Sequence, residues 1–575
     1  MLRDAQQEKS SLPPAWRSAA LLLGFGLCAC ILLGRAVDLQ VLDKQFLQTQ
    51  GDARHLRVVE IPAHRGAITD RNGEPLAISS PVDSVWVNPK EFLAAGADSH
   101  ELARLLDLEP RLLERRIRER ADREFLYVKR HVPPDLAERV MALKLPGVSL
   151  EREYRRFYPT GEVAAHVVGF TDIDDRGQEG MELAYDQWLR GEPGAKRVVK
   201  DRYGRIIGDV ESLREPRPGK ELRLSIDRRL QYLAYRELKA AALEQQVRAA
   251  SLVLLDVTTG EVLAMVNQPG YNPNNRAELS GQVVRNRAVT DAYEPGSTIK
   301  VFSVAAALES GRFRPDTIID TGPGYMRVGN YTIHDTRAFG KIDVSTLIQK
   351  SSNIGVAKMA LELEPETIWD TYVRLGFGSP PGTGFPGEAS GLMPPRPPQR
   401  PAERAALAYG YGLSVTPLQL ASAYATIAAD GVRRPVSFLA LPEPPTGEQV
   451  ISPEVARQVR AMMEMVVAEG GTAPQARVAG YRVAGKTGTS RKAIAGGYDD
   501  KAHLAYFAGF APASKPRLAM VVVLDEPSAH SYYGGRVAAP VFSRVMSGAL
   551  RLLNVPPDDL PGLGSYVASI GGVRQ

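Results

Sequence analysis

Glu294-Pro295-Gly296-Ser297-Thr298-Ile299-Lys300 sets one serine and one lysine three residues apart at the head of an apolar run, Thr298 to Leu308. Pro295 and Gly296 break whatever precedes. The run that follows has helical composition, so the pattern predicts a helix with Ser297 at its start. Positions i and i+3 share a helix face, which puts the lysine amine beside the serine hydroxyl. A helix N-terminus adds partial positive charge where an alkoxide would form. The pair reads as a nucleophile with a built-in base. Ser-x-x-Lys recurs by chance in long chains, so its accompaniment decides the reading.

Lys350-Ser351-Ser352-Asn353 is a polar cluster opening a predicted helix, with Ser351 and Asn353 as donor and acceptor. Ala484-Gly485-Lys486-Thr487-Gly488-Thr489-Ser490 follows, predicted to leave a β run over 481–485. On an edge strand a glycine at 488 lets another backbone approach closely. Lys486 supplies a cation, and Thr487 and Thr489 supply hydroxyls, for a carboxylate. Two further β runs, 505–511 and 518–524, would back that strand in one sheet. A histidine triad is the rival chemistry, since His334 and Asp335 adjoin. No Gly-x-Ser-x-Gly surrounds Ser297, and Lys300 already serves as base.

Composition narrows the field. The 575 residues are 44% hydrophobic and 24% charged, enough for two to four domains with sizeable cores. A net charge of +5, with no basic run interleaved with aromatics, argues against a nucleic-acid partner. The only two cysteines, Cys28 and Cys30, lie in one apolar run, so the rest has neither disulfides nor a thiolate metal site. Eight scattered histidines give no ligand pair, and neither a metal nor a cofactor is expected.

The apolar run, Ser18 to Gly34, is uncharged and flanked by Arg17 and Arg35. As a helix it would be roughly 26 Å long, against about 30 Å of hydrocarbon. Trp16 and the flanking arginines could extend it at the interfaces. Three readings compete: a cleaved signal, a lipoprotein signal at Leu27-Cys28-Ala29-Cys30, and a retained single-span anchor. The anchor is preferred, because no small-residue cleavage site follows and the run continues past Cys30. Arg3, Lys9 and Arg17 are nearly matched by Arg35, Lys44 and Arg54, so the cytoplasmic placement of the N-terminus rests on a faint bias.

The chain is divided into a cytoplasmic tail (1–17), a transmembrane anchor (18–38), a first domain (39–217), a second domain (218–555) and a tail (556–575). In the first domain, 64–77 reads as two strands joined at an Asn72-Gly73 turn, and 101–121 as an amphipathic helix broken at Pro110. Nothing there pairs a nucleophile with a base, so its loops at 155–161 and 177–182 are read as structural. In the second, 222–226 is a strand, 228–245 a helix and 251–266 a hairpin. Residues 343–365, 415–429 and 540–553 are helical, and 380–401 is a proline-rich connection. Helices with an antiparallel sheet assembled from distant segments make the fold class α+β.

Ser-x-x-Lys, Ser-x-Asn and Lys-Thr-Gly stand in order, 54 and then 135 residues apart, as in penicillin-binding proteins and class A β-lactamases. Arg65-Gly66, Asp70-Arg-Asn-Gly73, Tyr154-Arg-Arg-Phe-Tyr-Pro159, Gly384-Phe-Pro-Gly-Glu388, Ala408-Tyr-Gly-Tyr-Gly-Leu-Ser414 and Phe507-Ala-Gly-Phe-Ala-Pro512 extend the likeness over nearly the whole chain. The chain resembles the division-specific (FtsI-like) class B penicillin-binding proteins.

That resemblance implies an elongated pedestal of the dimerisation type ahead of a serine transpeptidase domain. It implies a D,D-transpeptidase that cross-links peptidoglycan stem peptides and is acylated by β-lactams. The expected setting is the inner membrane, with the catalytic domain periplasmic and at the division site. Expected partners are a membrane-embedded glycan polymerase and other division proteins. Ser297 would attack D-Ala-D-Ala, Lys300 accept its proton, Ser351 relay it to the leaving amine, and Asn353 position Lys300 and the substrate. Lys486, Thr487 and Thr489 would hold the terminal carboxylate, with Gly488 between them. The backbone N–H groups of Ser297 and Thr489 would form the oxyanion hole. Tyr532 and Tyr533, in the loop after 524, either wall the substrate side chain or pin that loop, with Gly534-Gly535 lending flexibility. The segment 491–501 could close over the same mouth. Competing functions are a D,D-carboxypeptidase or β-lactamase, and a non-catalytic penicillin-binding scaffold.

Overall fold

The computed structural model describes residues 15–38, 56–200, 206–279, 281–494 and 497–560. Most of the expected N-terminal tail, the cations Arg3, Lys9, Lys44 and Arg54, and the tail beyond 560 lie outside the described residues. The apolar run forms one helix, Ala15–Val37, exposed where its side chains are described and long enough to cross a membrane. Apolar side chains facing outward all round fit lipid rather than a protein core.

The chain forms two compact units that are not contiguous in sequence. The first comprises residues up to 63, 82–153 and 192–217. It holds an antiparallel sheet of Leu56–Ile61, Gly194–Lys200 and Ile206–Arg214. It also holds a small core in which Phe92, Leu102, Leu113, Ile117 and Val140 pack with strand residues 82–87 and with Leu126–Val132. Pro110 stands at the head of its helix, so the expected 101–121 helix is two: His100–Leu105 and Pro110–Arg118.

The second unit comprises 64–81, 154–191 and 218 onward. Asp70 accepts from the N–H groups of Asn72 (2.7 Å) and Glu74 (2.9 Å), closing the Asn72-Gly73 turn, and from Arg228 N–H at a helix start (3.1 Å). Arg65, 1% exposed, donates to Glu182 and Asp186 at 2.8 Å each. A buried guanidinium is tolerated because carboxylates and carbonyls take its protons.

The unit is built on five antiparallel strands: β1 (Ala249–Asp256), β2 (Val262–Gln268), β3 (Ala484–Ile494), β4 (Gly497–Ala511) and β5 (Leu518–Asp525), in the order β2-β1-β5-β4-β3. Every residue of β1 and β5 is buried, so helices cover both faces. Arg228–Glu244 and Ala539–Leu552 pack together and on the sheet, as do Pro417–Ala428 and Pro453–Val467, and Lys300–Glu309 packs against Pro453–Val467.

The sheet corrects two expectations. The β run predicted at 481–485 starts at Ala484 and continues through the Lys-Thr-Gly residues to Ile494. Polar composition hid this strand; pairing with the apolar β4 (Lys486 opposite Ala508, Thr489 opposite Ala505) holds it extended. The closing loop expected at 491–501 is, where described, the paired ends of β3 and β4, with Ala493 opposite Tyr498.

Candidate active site

Ser297 lies in a 3₁₀ turn, Gly296–Ile299, and the α-helix itself begins at Lys300. Pro295 and Gly296 (φ +50) bend the chain into the turn, and Thr298 closes it by donating its hydroxyl to Pro295 O at 2.7 Å. From Lys300 to Leu308 every side chain of the helix is buried, so the turn stands on the centre of the unit.

The helix expected over 343–365 breaks at Ser351. Val344–Lys350 ends there with Ser351 left-handed (φ 62, ψ 39), and Asn353–Glu362 begins two residues on. A non-glycine residue held in this region is strained, and the strain turns Ser351 toward both lysines. Asp335 holds the break: it accepts from Ser352 Oγ (2.6 Å), Asn353 N–H (2.5 Å) and Ile354 N–H (3.1 Å).

Lys300, fully buried, donates to Asn353 Oδ1 at 2.6 Å and to Ser351 O at 2.7 Å, with Ser351 Oγ at 3.4 Å. Asn353 Nδ2 in turn donates to His334 O at 2.8 Å. Lys486, also fully buried, donates to Ser351 Oγ at 2.8 Å and Thr487 O at 3.1 Å. Burial pulls the Lys300 ammonium down to about 7, with the Asp335 carboxylate opposing. Burial, then the charge on Lys300, pulls Lys486 well below the ordinary lysine range. A neutral amine has two hydrogens and one lone pair. The two short bonds of Lys300 use both hydrogens and leave the lone pair free to take a proton.

Edge strand β3 reaches the nucleophile turn through Gly488. A Cβ there would meet Thr298 Cγ2 at 2.8 Å and Pro295 O at 3.1 Å, the close approach its spacing suggested. Ser490 Oγ (3.0 Å) and Tyr506 OH (3.1 Å) donate to Glu294 O and tie the turn to the sheet. Of the hydroxyls expected to hold a carboxylate, Thr487 Oγ1 is paired with Thr472 Oγ1 at 2.8 Å. Thr489 Oγ1 accepts from Gly534 N–H at 3.1 Å, which leaves its own proton to donate.

Tyr532 lies flat on His503 (centroids 4.1 Å, 18° between planes) and against Tyr533 at 4.6 Å; both tyrosines are exposed. Gly534 and Gly535 lend no flexibility. They open a short helix and are buried, and a Cβ would come within 2.1 Å of Tyr506 O and 2.2 Å of Thr472 O respectively. Glycine is needed there for close packing, not motion. Among the described residues no cluster of three metal-ligating side chains occurs.

Hydrogen bonds join Lys300, Ser351, Asn353 and Lys486, whereas Ser297 Oγ makes none with either lysine among the described residues, and the fold adds residues that sequence reasoning did not reach. In sequence Asp335 reads only as a triad member; its role as cap and counter-charge depends on a fold contact that spacing does not encode. Glu294 Oε1 accepts from Gly412 N–H (3.0 Å) and Tyr498 OH (3.1 Å), and Tyr498 packs edge-on against Tyr411 at 5.6 Å. Thr472, 15 residues before its partner Thr487, gave no signal.

Residues 250–547 match the penicillin binding protein transpeptidase domain, and 60–224 match the penicillin-binding protein dimerisation domain. The chain is 44% identical over 560 residues to the peptidoglycan D,D-transpeptidase FtsI of Escherichia coli K12, covering 96% of this chain and 95% of the relative. It is 41% identical to the probable peptidoglycan D,D-transpeptidase PenA of Neisseria meningitidis serogroup A, covering 97% and 96%. Among solved structures, penicillin-binding protein 3 of Mycobacterium tuberculosis superposes with a TM-score of 0.67 at 29% identity, over 88% of this chain and 98% of that one. The transpeptidase domain of Burkholderia pseudomallei penicillin-binding protein 3 superposes with a TM-score of 0.55 at 44% identity, over 59% and 98%. With a dimerisation domain ahead of a transpeptidase domain and near-complete coverage of its relatives, the chain belongs to the class B penicillin-binding proteins, the FtsI-like peptidoglycan D,D-transpeptidases.

Proposed function

We propose that the chain cross-links peptidoglycan stem peptides through an acyl-enzyme on Ser297, and that β-lactams acylate the same serine. Ser297 Oγ attacks the penultimate D-alanine carbonyl, and its proton passes to neutral Lys300. Ser351 Oγ, held between Lys300 and Lys486, delivers a proton to the leaving D-alanine amine. The amine of a second stem peptide then attacks the ester carbonyl; a C–N bond forms, the amine gives a proton to Lys300, and Lys300 passes it to Ser297 Oγ as the bond from the acyl carbon to that oxygen breaks. The observation that carries this reading is the sharing of Ser351 by two buried lysines, at 2.8 and 3.4 Å. Ordinary ammonium groups would not be buried so close together. Near neutral pH, one of them without its charge is the state that burial favours.

Lys486 faces Ser351 in this arrangement, so it serves the proton relay as well as the substrate carboxylate. Thr489, with a proton to spare, is the better placed of the two threonines to bind that carboxylate. The exposure of Tyr532 and Tyr533, whose rings meet each other and His503, favours a wall for the substrate side chain over a pin for the loop. Names of relatives weigh against a carboxypeptidase, a β-lactamase or a scaffold, because the FtsI, PbpC and PenA relatives at 41–44% identity are named transpeptidases or probable transpeptidases.

The finer reading is an inner-membrane enzyme anchored by Ala15–Val37, with its catalytic unit in the periplasm at the division site. The first domain and anchor would dock a lipid-linked glycan polymerase and other division proteins. The test is purified full-length protein with a fluorescent penicillin and with a stem-peptide donor. A long-lived adduct with transfer to an added amine supports the reading. Rapid loss of the adduct means a hydrolase, and no adduct means a scaffold.

A further inference from the structure

The motifs account for the donor peptide: nucleophile, base, relay and carboxylate site. The reaction needs a second substrate, whose amine must reach the ester from outside the donor groove. A cleft of ≈ 810 Å³ lies beside the nucleophile turn, walled by the proline-rich segment 394–400 and by Glu403, Tyr411 and Gly412. Its near wall is tied to that turn. Gly296 N–H donates to Gly410 O at 3.2 Å, a Cβ on Gly410 would lie 2.1 Å from Gly296 O, and Gly412 N–H donates to Glu294 Oε1 at 3.0 Å. The far wall is stiff. Four prolines (394, 395, 397, 398) restrict it, and Trp369 Nε1 donates to Pro394 O at 2.8 Å. A pre-formed wall loses little freedom when a ligand binds.

The charge of the cleft says what would fit. Its ionisable side chains, apart from the Tyr411 phenol, are Arg396, Arg400 and Glu403. Arg400 meets Glu403 at 3.4 Å, both exposed, a contact of little strength. Arg396 is exposed and makes no hydrogen bond or ion pair with the described residues. A net positive, shape-fixed cleft with a guanidinium to spare suits a carboxylate held by paired N–H donors.

We propose that this cleft is the acceptor subsite: it seats an amine-bearing peptide through a free carboxylate bound by Arg396 and Arg400, and presents the amine to the Ser297 ester. The inference rests on the transpeptidase reading. In the step it serves, the acceptor nitrogen bonds to the acyl carbon, the bond from that carbon to Ser297 Oγ breaks, and the amine proton returns through Lys300 to Ser297.

The test uses the full chain, a thioester donor, and two acceptors: a peptide with a side-chain amine and free carboxylates, and the same peptide with its carboxylates amidated. Acylation by fluorescent penicillin is measured alongside. For Arg396→Ala/Arg400→Ala, acylation should stay within about twofold of wild type. The concentration of acidic acceptor needed for half-maximal transfer should rise about tenfold or more, while the amidated acceptor is little affected. Transfer to the acidic acceptor that is unchanged, or lost equally with both acceptors, would overturn the inference. A parallel loss of penicillin acylation would also overturn it, by assigning the arginines to the donor site or the fold. Should wild type acylate yet transfer to neither acceptor, the transpeptidase reading itself fails.

Discussion

Acylation should depend steeply on pH across neutrality, with Lys300 as the group that sets the profile. Burial lowers this amine from 10.5 to about 7, against the pull of Asp335. At pH 7 about half the molecules then carry a neutral amine, whereas an unperturbed lysine would be neutral in about one molecule in 3,000. Between pH 6 and pH 8 the neutral fraction rises from about 0.09 to about 0.9, so the acylation rate should rise about tenfold and then level off. Stopped-flow measurement with a fluorescent penicillin, whose carboxylate stays ionised throughout, gives the profile directly. Asp335→Asn removes the opposing charge while keeping an oxygen to accept from the helix N–H groups. It should move the limb to lower pH, a shift that a purely structural role would not produce. A profile flat from pH 6 to 8, a limb rising only above pH 9, or an upward shift in Asp335→Asn would refute the reasoning.

The same two lysines tie stability to pH. Both have lowered values in the fold, so between about 7 and the ordinary lysine value the unfolded chain binds protons that the folded chain does not. Stability should therefore rise with pH through that window and fall as pH drops toward 7, by about 1 kcal/mol per pH unit for Lys300, with Lys486 acting in the same direction. Lys300→Met should abolish acylation and make that slope shallower, leaving the part due to Lys486, which melting curves between pH 7 and 10 can read. Lys486→Ala should slow acylation by carboxylate-bearing donors about ten- to a hundredfold, the value of a charge-assisted hydrogen bond of about 1.5–3 kcal/mol. If Lys486 also serves the relay, an ester analogue without the carboxylate should lose part of this rate as well; an unaffected analogue would confine Lys486 to the carboxylate. Gly534→Ala should lower the melting temperature and acylation together, because its Cβ would strike Tyr506 O and Gly488 O behind the Lys-Thr-Gly strand. A silent substitution there would contradict the packing account. Tyr532→Ala and Tyr533→Ala should slow acylation by ligands with bulky side chains more than by small ones; a uniform loss with a lowered melting temperature would make them structural. A chain starting at residue 39 should be soluble and bind penicillin yet fail to restore division, and success without the span would reduce the anchor to an export device.

Much of the site was legible because its chemistry is local. Ser297 and Lys300 sit one turn apart, and at Gly488 the approach of the nucleophile turn is so close that a Cβ would lie 2.8 Å from Thr298 Cγ2. The hairpin of β1 and β2 and the terminal helix were likewise visible in apolar periodicity. Long-range determinants left no such trace. Asp335 acts on Lys300 and caps the helix at Asn353 only because the fold brings three segments together. The left-handed Ser351 interrupts what composition presents as one helix, and its strain is held by Asp335 rather than by any residue preference of its own. Strand β3 is polar at the motif and extended by its partner, so alternation could not reveal it. Gly534-Gly535, which reads as a hinge in sequence, is a close-packing element, because a missing Cβ gives freedom in a loop and contact in a core.

The central claim, that Ser297 carries the acyl group, is tested most directly by locating the penicillin adduct by peptide mass spectrometry in wild type and in Ser297→Ala. The account expects the adduct on the peptide containing Ser297, and a loss of roughly 10³ to 10⁶ in acylation rate with the melting temperature preserved in the variant. An adduct on another serine, or a Ser297→Ala protein that still acylates at near wild-type rate, would contradict it.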